Sequence, residues 1–215
     1  MKEKLILLGG GGHAESVIDT IKTKEEYEIT GILDNQKSPG TFVSNIEVLG
    51  SDELLLDLYQ SGIRCAVIAV GSIGSPKVRI RLFNLCLRIG FYMPTIIDQS
   101  AILSRDFVTG DGGFIGKGVI IGSGVQIGEG CIINTGVILE HGVKLGDFVH
   151  AAPGCILCGN AAAGDHTHIG AGTTVIQNIT LGSHSMIGAA SLVLSDISSN
   201  TLAYGRPARE VHYYE

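Results

Sequence analysis

Apolar residues in this chain follow two rhythms, and the change falls near residue 95. Before it, short apolar runs alternate with helix-like stretches. Leu5-Ile6-Leu7-Leu8 is a continuous apolar run, as expected of a strand buried on both faces. Gly9-Gly10-Gly11-Gly12 follows it, and Val17, Ile18 and Ile21 then keep a helical spacing. A second strand is predicted from about Ile29 to Leu33, ending at Asp34. Ser51-Asp52-Glu53 reads as the cap of a helix running through Tyr59. Cys65-Ala66-Val67-Ile68-Ala69-Val70 is another apolar strand, stopped by Gly71. A helix from about Pro76 to Arg88 ends at Gly90. This βαβ-like order predicts a small parallel sheet with helices on its faces, a Rossmann-like α/β unit over residues 1–95.

From Ile97 the period becomes six. A frame set on Ile97 runs forward without insertion through Leu103, Thr109, Ile115, Ile121, Ile127, Ile133, Leu139, Leu145, Ala151, Leu157, Ala163, Ile169, Val175, Leu181, Ile187 and Val193. All but Thr109, Ala151 and Ala163 are Ile, Leu or Val. The next position is often glycine, as at Gly110, Gly116, Gly122, Gly128, Gly146 and Gly164. The fifth position is mostly small or β-branched, as at Val119, Val125, Val137, Val143 and Ser191. A sustained six-residue period marks a parallel β-helix over residues 96–215. Each hexad is one short strand plus a turn, with the aliphatic residue inside. Three hexads close one triangular coil, so residues 18 apart stack about 4.8 Å from each other.

Composition narrows the classes. With 45% hydrophobic and only 17% charged residues, the 215-residue chain is folded rather than disordered. Its 31 glycines follow no collagen-like triplet and fit turns repeated many times. A net charge of −6 gives no general attraction to nucleic acid or anionic membrane. No apolar run approaches the roughly 20 residues of a membrane span, and the first residues are too short an apolar stretch for a secretory signal. Five scattered cysteines fit reduced thiols in a cytoplasmic protein.

The hexads, the N-terminal Gly9-Gly10-Gly11-Gly12-His13-Ala14 and the tail Gly205-Arg206-Pro207-Ala208-Arg209 together resemble one bacterial family across nearly the whole chain. It is the left-handed β-helix sugar acetyltransferases, which include UDP-4-amino-sugar N-acetyltransferases of bacillosamine synthesis and sialic acid O-acetyltransferases. Left-handedness comes from the resemblance, since periodicity alone does not set it. The resemblance implies acetyl-CoA as co-substrate, no resident metal, and a homotrimer with sites between chains.

Acyl transfer needs a base for the attacking amine or hydroxyl and a donor for the thioester oxygen. The segment Ile133-Asn134-Thr135-Gly136-Val137-Ile138-Leu139-Glu140-His141-Gly142 matches the family's catalytic segment, which makes His141 the expected base. Gly159, 18 residues on, lies one coil above, and the family uses the matching amide as oxyanion donor. The catalytic set implied by resemblance is Asn134, Glu140, His141 and Gly159. The acetyl-CoA contacts implied are His150, Gly159, Ala171, Ala189 and Arg206, and Arg206 also fits a plainly solvated tail. Several relatives carry a carboxylate directly after the histidine, whereas this chain has Gly142. Glu140 or a neighbouring chain is then the candidate to orient the ring.

The stacked pairs His150/His168 and His166/His184 suggest a metal site as in β-helix carbonic anhydrases, but no supporting carboxylate is evident. Cys155-Ile156-Leu157-Cys158 is a single C-x-x-C within a repeat and reads as packing. The glycines after the first strand fit phosphate binding at a helix N-terminus, or simple helix-on-strand packing. With Asp34 where a ribose-binding acid would stand, Gly9, Gly11, Gly12, His13, Asp34 and Gly71 are the expected nucleotide-sugar contacts. The expected activity is acetylation of the 4-amino group of a nucleotide-linked sugar for surface glycan synthesis, without nucleic-acid or membrane partners. A sialic acid O-acetyltransferase is the alternative. A β-helix metalloenzyme and a non-catalytic scaffold are readings of other classes.

Overall fold

The computed structural model describes residues 2–213. The first part is a five-stranded sheet built from β1 (Glu3–Leu8), β2 (Tyr27–Leu33), β3 (Phe42–Val43), β4 (Ile46–Gly50) and β5 (Cys65–Ile68). Its order is β3-β4-β2-β1-β5, parallel throughout except for the β3–β4 hairpin. Helix α1 (Gly12–Lys24) covers one face through Ala14, Val17 and Ile18. Helices α2 (Leu55–Gln60) and α3 (Lys77–Ile89) cover the other through Leu55, Leu82, Phe83 and Cys86. Gly90, in the left-handed region at φ 105°, ends α3 where a side chain would be strained. The helix expected from Ser51 to Tyr59 begins instead as a 3₁₀ turn, Asp52–Leu54, and Ser51 makes no side-chain cap. The β3–β4 hairpin was not foreseen; Ser44 and Asn45 turn it, both at positive φ.

The rest is a triangular prism of two-residue strands, each hydrogen-bonded to the strand 18 residues away, as Ile120 pairs with Ile138 and Ile138 with Ile156. Three sheets form its sides. The first carries Ile96–Ile97, Phe114–Ile115, Ile132–Ile133, His150–Ala151, His168–Ile169 and Met186–Ile187, and is extended by the tail hairpin of Thr201–Gly205 and Ala208–Tyr213. The second runs from Ile102–Leu103 through Ile138–Leu139 to Leu192–Val193. The third runs from Val108–Thr109 to Thr180–Leu181. Framed residues such as Ile133, Leu139, Ile169 and Val175 are fully buried inside, each side chain contributing roughly 1.5–3 kcal/mol by leaving water. Ala151 and Ala163 keep that inward position and are equally enclosed.

The N-terminal part lies across the outer surface of the first sheet. Outward-facing Ile96, Phe114 and Ile132 join Leu5, Ala14 and Val17 in one core. Arg79 of α3, fully buried, donates to the carbonyls of Ile68 and Val70 at the end of β5 and to those of Gly112 and Gly130 on the prism. Buried Asp98 accepts from the Thr20 hydroxyl of α1 and from the Ser100 N–H and hydroxyl. Phe83 meets Phe148 edge-on at 5.2 Å. Phe148 sits at φ 55°, unusual for a bulky residue, and this packing offsets the strain. Among the described residues, no helix is long and apolar enough to cross a membrane.

Candidate active site

A cavity of about 560 Å³ opens at the carboxyl ends of β1, β2 and β5. All six positions expected to contact a nucleotide sugar line it: Gly9, Gly11, Gly12, His13, Asp34 and Gly71. At Gly9, φ is 104° and an added Cβ would come within 2.5 Å of Val70 Cγ2, so the chain can turn there only without a side chain. Gly11 and Gly12 face open space at the N-terminus of α1, where main-chain N–H groups and the helix dipole favour an anion. Asp34 is committed locally: Oδ2 accepts the Gly10 N–H at 2.7 Å, and Oδ1 accepts those of Gln36 and Lys37. It thereby ties the glycine loop to the turn after β2. The wall also contains Asn35, Asp52, Ile73, Val78 and Arg81, which the sequence did not single out.

The β5 end of the cavity meets the prism. His13 packs edge-on to Phe114 at 5.1 Å, and Ser72 Oγ lies 3.3 Å from His150 Nδ1. His150 stacks on His168 one coil above, with ring centres 4.8 Å apart. Burial, with a smaller contribution from the Arg79 charge, lowers the His13 pKa to about 4. Burial and the neighbouring histidines lower that of His150 to about 3. Both rings are therefore neutral near pH 7. His13 Nε2, His150 Nε2 and His168 Nδ1 are buried without a hydrogen-bond partner among the described residues.

His141 stands elsewhere, exposed on the corner between the second and third sheets. Its ring lies over Gly159: a Cβ built there would fall 2.5 Å from both Cε1 and Nε2. The Gly159 carbonyl accepts from Asn178, whereas its N–H has no partner among the described residues. The expected stacking of base and amide is thus present within one chain. The carboxylate of Glu140 makes no hydrogen bond to His141 among the described residues. Gly142, at φ 69°, lies beneath Asn160, whose Oδ1 would be 2.3 Å from an added Cβ. Asn160 therefore fills the space a carboxylate after the histidine would need, a relation that linear spacing did not reveal.

The other expected residues are not gathered around His141. Asn134 precedes Ile138–Leu139 and His141 follows it, so they occupy opposite ends of that strand. Ala171 and Ala189 are exposed on the corner between the first and second sheets, the same corner as Asn134. Arg206 is exposed in the tail hairpin. The first sheet, which bears the cavity, forms the side of the prism opposite the His141 corner. Cys155 is buried and Cys158 partly exposed, in keeping with their different hexad positions. His166 and His184 stack with Nδ1 atoms 3.3 Å apart. Among the described residues, no group of three or more His, Cys, Asp or Glu is arranged to hold a metal ion.

This β-helix with a Rossmann-like unit on one side defines an acyltransferase of the hexapeptide-repeat class. Residues 4–85 match the family model described as the PglD N-terminal domain. No curated protein sequence matches the chain. A histidine-to-asparagine variant of perosamine N-acetyltransferase from Caulobacter crescentus, solved with CoA and GDP-perosamine, is 30% identical, with 97% of each chain covered and a TM-score of 0.92. The acetyltransferase domain of PglB from Neisseria gonorrhoeae FA1090, solved with acetyl coenzyme A, is 28% identical over 98% of this chain and all of that one (100%), with a TM-score of 0.90. WeeI from Acinetobacter baumannii AYE shares the fold at 19% identity, with 98% of this chain and 100% of that one covered and a TM-score of 0.84. The chain belongs to the family of left-handed β-helix sugar N-acetyltransferases.

Proposed function

We propose that the protein transfers the acetyl group of acetyl-CoA to the 4-amino group of a nucleotide-linked sugar, at a site formed between copies of the chain in a homotrimer. Residues 1–95 hold the nucleotide and residues 96–215 supply the acetyl-transfer groups. One observation carries this reading: the His141 ring lies against Gly159, whose N–H is free, on the corner opposite the chain's own cavity. A sugar reaching out of one chain's cavity would meet the His141 corner of another. The outer row of the second sheet supports such packing. Ile102 and Ile120 are exposed there, with Ile138, Ile156 and Leu192 half-buried, while the corresponding row of the third sheet carries Gln126, Lys144 and Thr180. Relatives bound to CoA, acetyl coenzyme A and GDP-perosamine fit the same division.

In this mechanism the sugar amine attacks the thioester carbonyl and its proton passes to neutral His141. The carbonyl π electrons move to oxygen, where the Gly159 N–H stabilises the charge. Collapse reforms the carbonyl, breaks the C–S bond, and releases CoA as the thiol after proton return from His141. Asn134, Ala171, Ala189 and His150 would meet the substrates from the side of the first sheet, and Arg206 the CoA phosphates. The test is acetyl-CoA turnover against nucleotide amino sugars and against free or CMP-linked sialic acids. His141→Ala is expected to lose roughly 10²–10⁴-fold in rate while acetyl-CoA binding stays near that of the unmodified protein. An amide product survives mild alkali. An alkali-labile ester, or turnover that survives in His141→Ala, would overturn the proposal.

A further inference from the structure

We infer that the far end of the cavity reads the nucleobase through Asp52, and selects bases with a ring N–H (guanine, uracil or thymine) over cytosine and adenine. This rests on the nucleotide reading given above and goes beyond it by naming the base class.

Sheet order lays the cavity out as a ruler. The groups that follow β4, β2, β1 and β5 stand side by side along the carboxyl edge, about 4.8 Å per strand. The glycine loop and the α1 N-terminus follow β1 and suit the diphosphate. Gly71 and Ser72 follow β5 and lead to His150, which places the sugar at that end. Asn35 follows β2, and Asp52 follows β4, two strand spacings beyond the glycines. The base of a nucleoside diphosphate anchored at β1 therefore falls beside Asp52.

The polar groups at that end are already organised. Asp52 has a side chain only 14% exposed, and its Oδ2 accepts from Arg81 Nη1 at 2.7 Å. Its Oδ1 has no partner among the described residues. Asn35 Oδ1 accepts the Asp52 N–H at 3.0 Å, which leaves the Asn35 NH₂ as a donor. Ile73, Val78 and Leu82 supply an apolar wall for a ring face. A carboxylate acceptor flanked by two donors matches a ring N–H flanked by a carbonyl, which guanine, uracil and thymine present. Cytosine and adenine place a bare ring nitrogen at that position. Against it the carboxylate would be desolvated and repelled, and a site built for a hydrogen bond strongly rejects a ligand that cannot make it.

Calorimetric titration of the full chain with UDP, GDP, dTDP, CDP and ADP tests this. UDP, GDP or dTDP is expected to bind roughly 10- to 100-fold more tightly than CDP and ADP. Asp52→Asn, which presents a donor in the same shape, should abolish that preference without altering acetyl-CoA binding. Equal binding of all five, or preference for CDP or ADP, overturns the inference but leaves the nucleotide site standing. Preference in the unmodified protein that persists in Asp52→Asn overturns the assignment to Asp52. Binding of none of the five overturns the nucleotide reading itself, and this inference with it.

Discussion

The histidines of the first sheet and the histidine of the opposite corner are the same chemical group put to opposite uses. His13 and His150 lie under the N-terminal unit, enclosed by Phe114, Ser72 and His168, and burial keeps them neutral. His141 stands in the open over a glycine, with a free N–H beside it. A repeat places histidines at any chosen coil with equal ease. What lies on the outside of the prism then decides whether a histidine is a packed neutral wall or a proton acceptor. The contrast also predicts that damage divides: changes on the covered side should act on folding, and changes at the open corner on rate.

The largest effect is expected from Arg79. Its guanidinium stays charged at neutral pH, although burial lowers its pKa to about 10, and it satisfies four carbonyls across the junction. Arg79→Met leaves those oxygens unpaired at a cost of roughly 3–5 kcal/mol. In a chain of this size that lowers Tm by on the order of 10 °C. Calorimetric melting checks it, and an unchanged Tm would show that the junction does not depend on this residue. At the other site, Gly159→Ala should lose roughly 10²–10³-fold in kcat with Tm nearly unchanged. The new methyl meets only the His141 ring, which can swing into solvent, so the fold is spared and the alignment is lost. Retained turnover in Gly159→Ala would mean that this corner is not where the acetyl group lies.

A pH titration of stability separates the two sides further. In the unfolded chain a histidine titrates near pH 6.5, whereas folded His13 and His150 titrate near 4 and 3. Below pH 6.5 the unfolded state binds protons that the folded state refuses, so stability falls with pH, by about 1.4 kcal/mol per pH unit for each histidine. The decline should run from about pH 6.5 towards 4, before the carboxylates contribute. His150→Gln should make it shallower, whereas His141→Ala should leave the slope as it is. Equal slopes in the unmodified protein and His150→Gln would show that His150 is not buried and neutral as described.

The prism was legible because its rule is local and repeated. Residues from Ile97 to Val193 keep their inward position wherever the frame puts them, and Gly159 falls over His141 because 18 residues make one coil. The cavity was half legible: Gly9, Gly11 and Gly12 announce themselves as a strand–loop–helix turn, and they line it. Asp52 and Arg81 did not, because they come together across 29 residues through a hairpin that sequence spacing missed. Arg79 was equally silent, since an arginine in a helix reads as solvated until its four partners are known. The distance between cavity and base lay beyond the sequence too, for it depends on which side of the prism the N-terminal unit covers.

The smallest expected effect concerns Gly142, and it sharpens what the open corner requires. Relatives with a carboxylate after the histidine suggest that Gly142→Asp would restore an orienting group. The structure argues otherwise. Gly142 sits at φ 69°, which costs a non-glycine residue about 1 kcal/mol. An added Cβ would also stand 2.3 Å from Asn160 Oδ1, so the new carboxylate and the Asn160 amide compete for one space. Gly142→Asp alone should therefore change kcat/KM by less than about tenfold, a loss or gain of under about 1.4 kcal/mol in the barrier, and lower Tm slightly. Combined with Asn160→Ala, which clears the space, the aspartate can reach the His141 ring, and the double variant should exceed Asn160→Ala alone in kcat/KM. If Gly142→Asp alone raises turnover more than tenfold, Asn160 is not the obstacle, and the corner lacks an orienting group that it can readily accept. If the double variant shows no gain over Asn160→Ala, His141 is already held in its working position by contacts from a neighbouring chain.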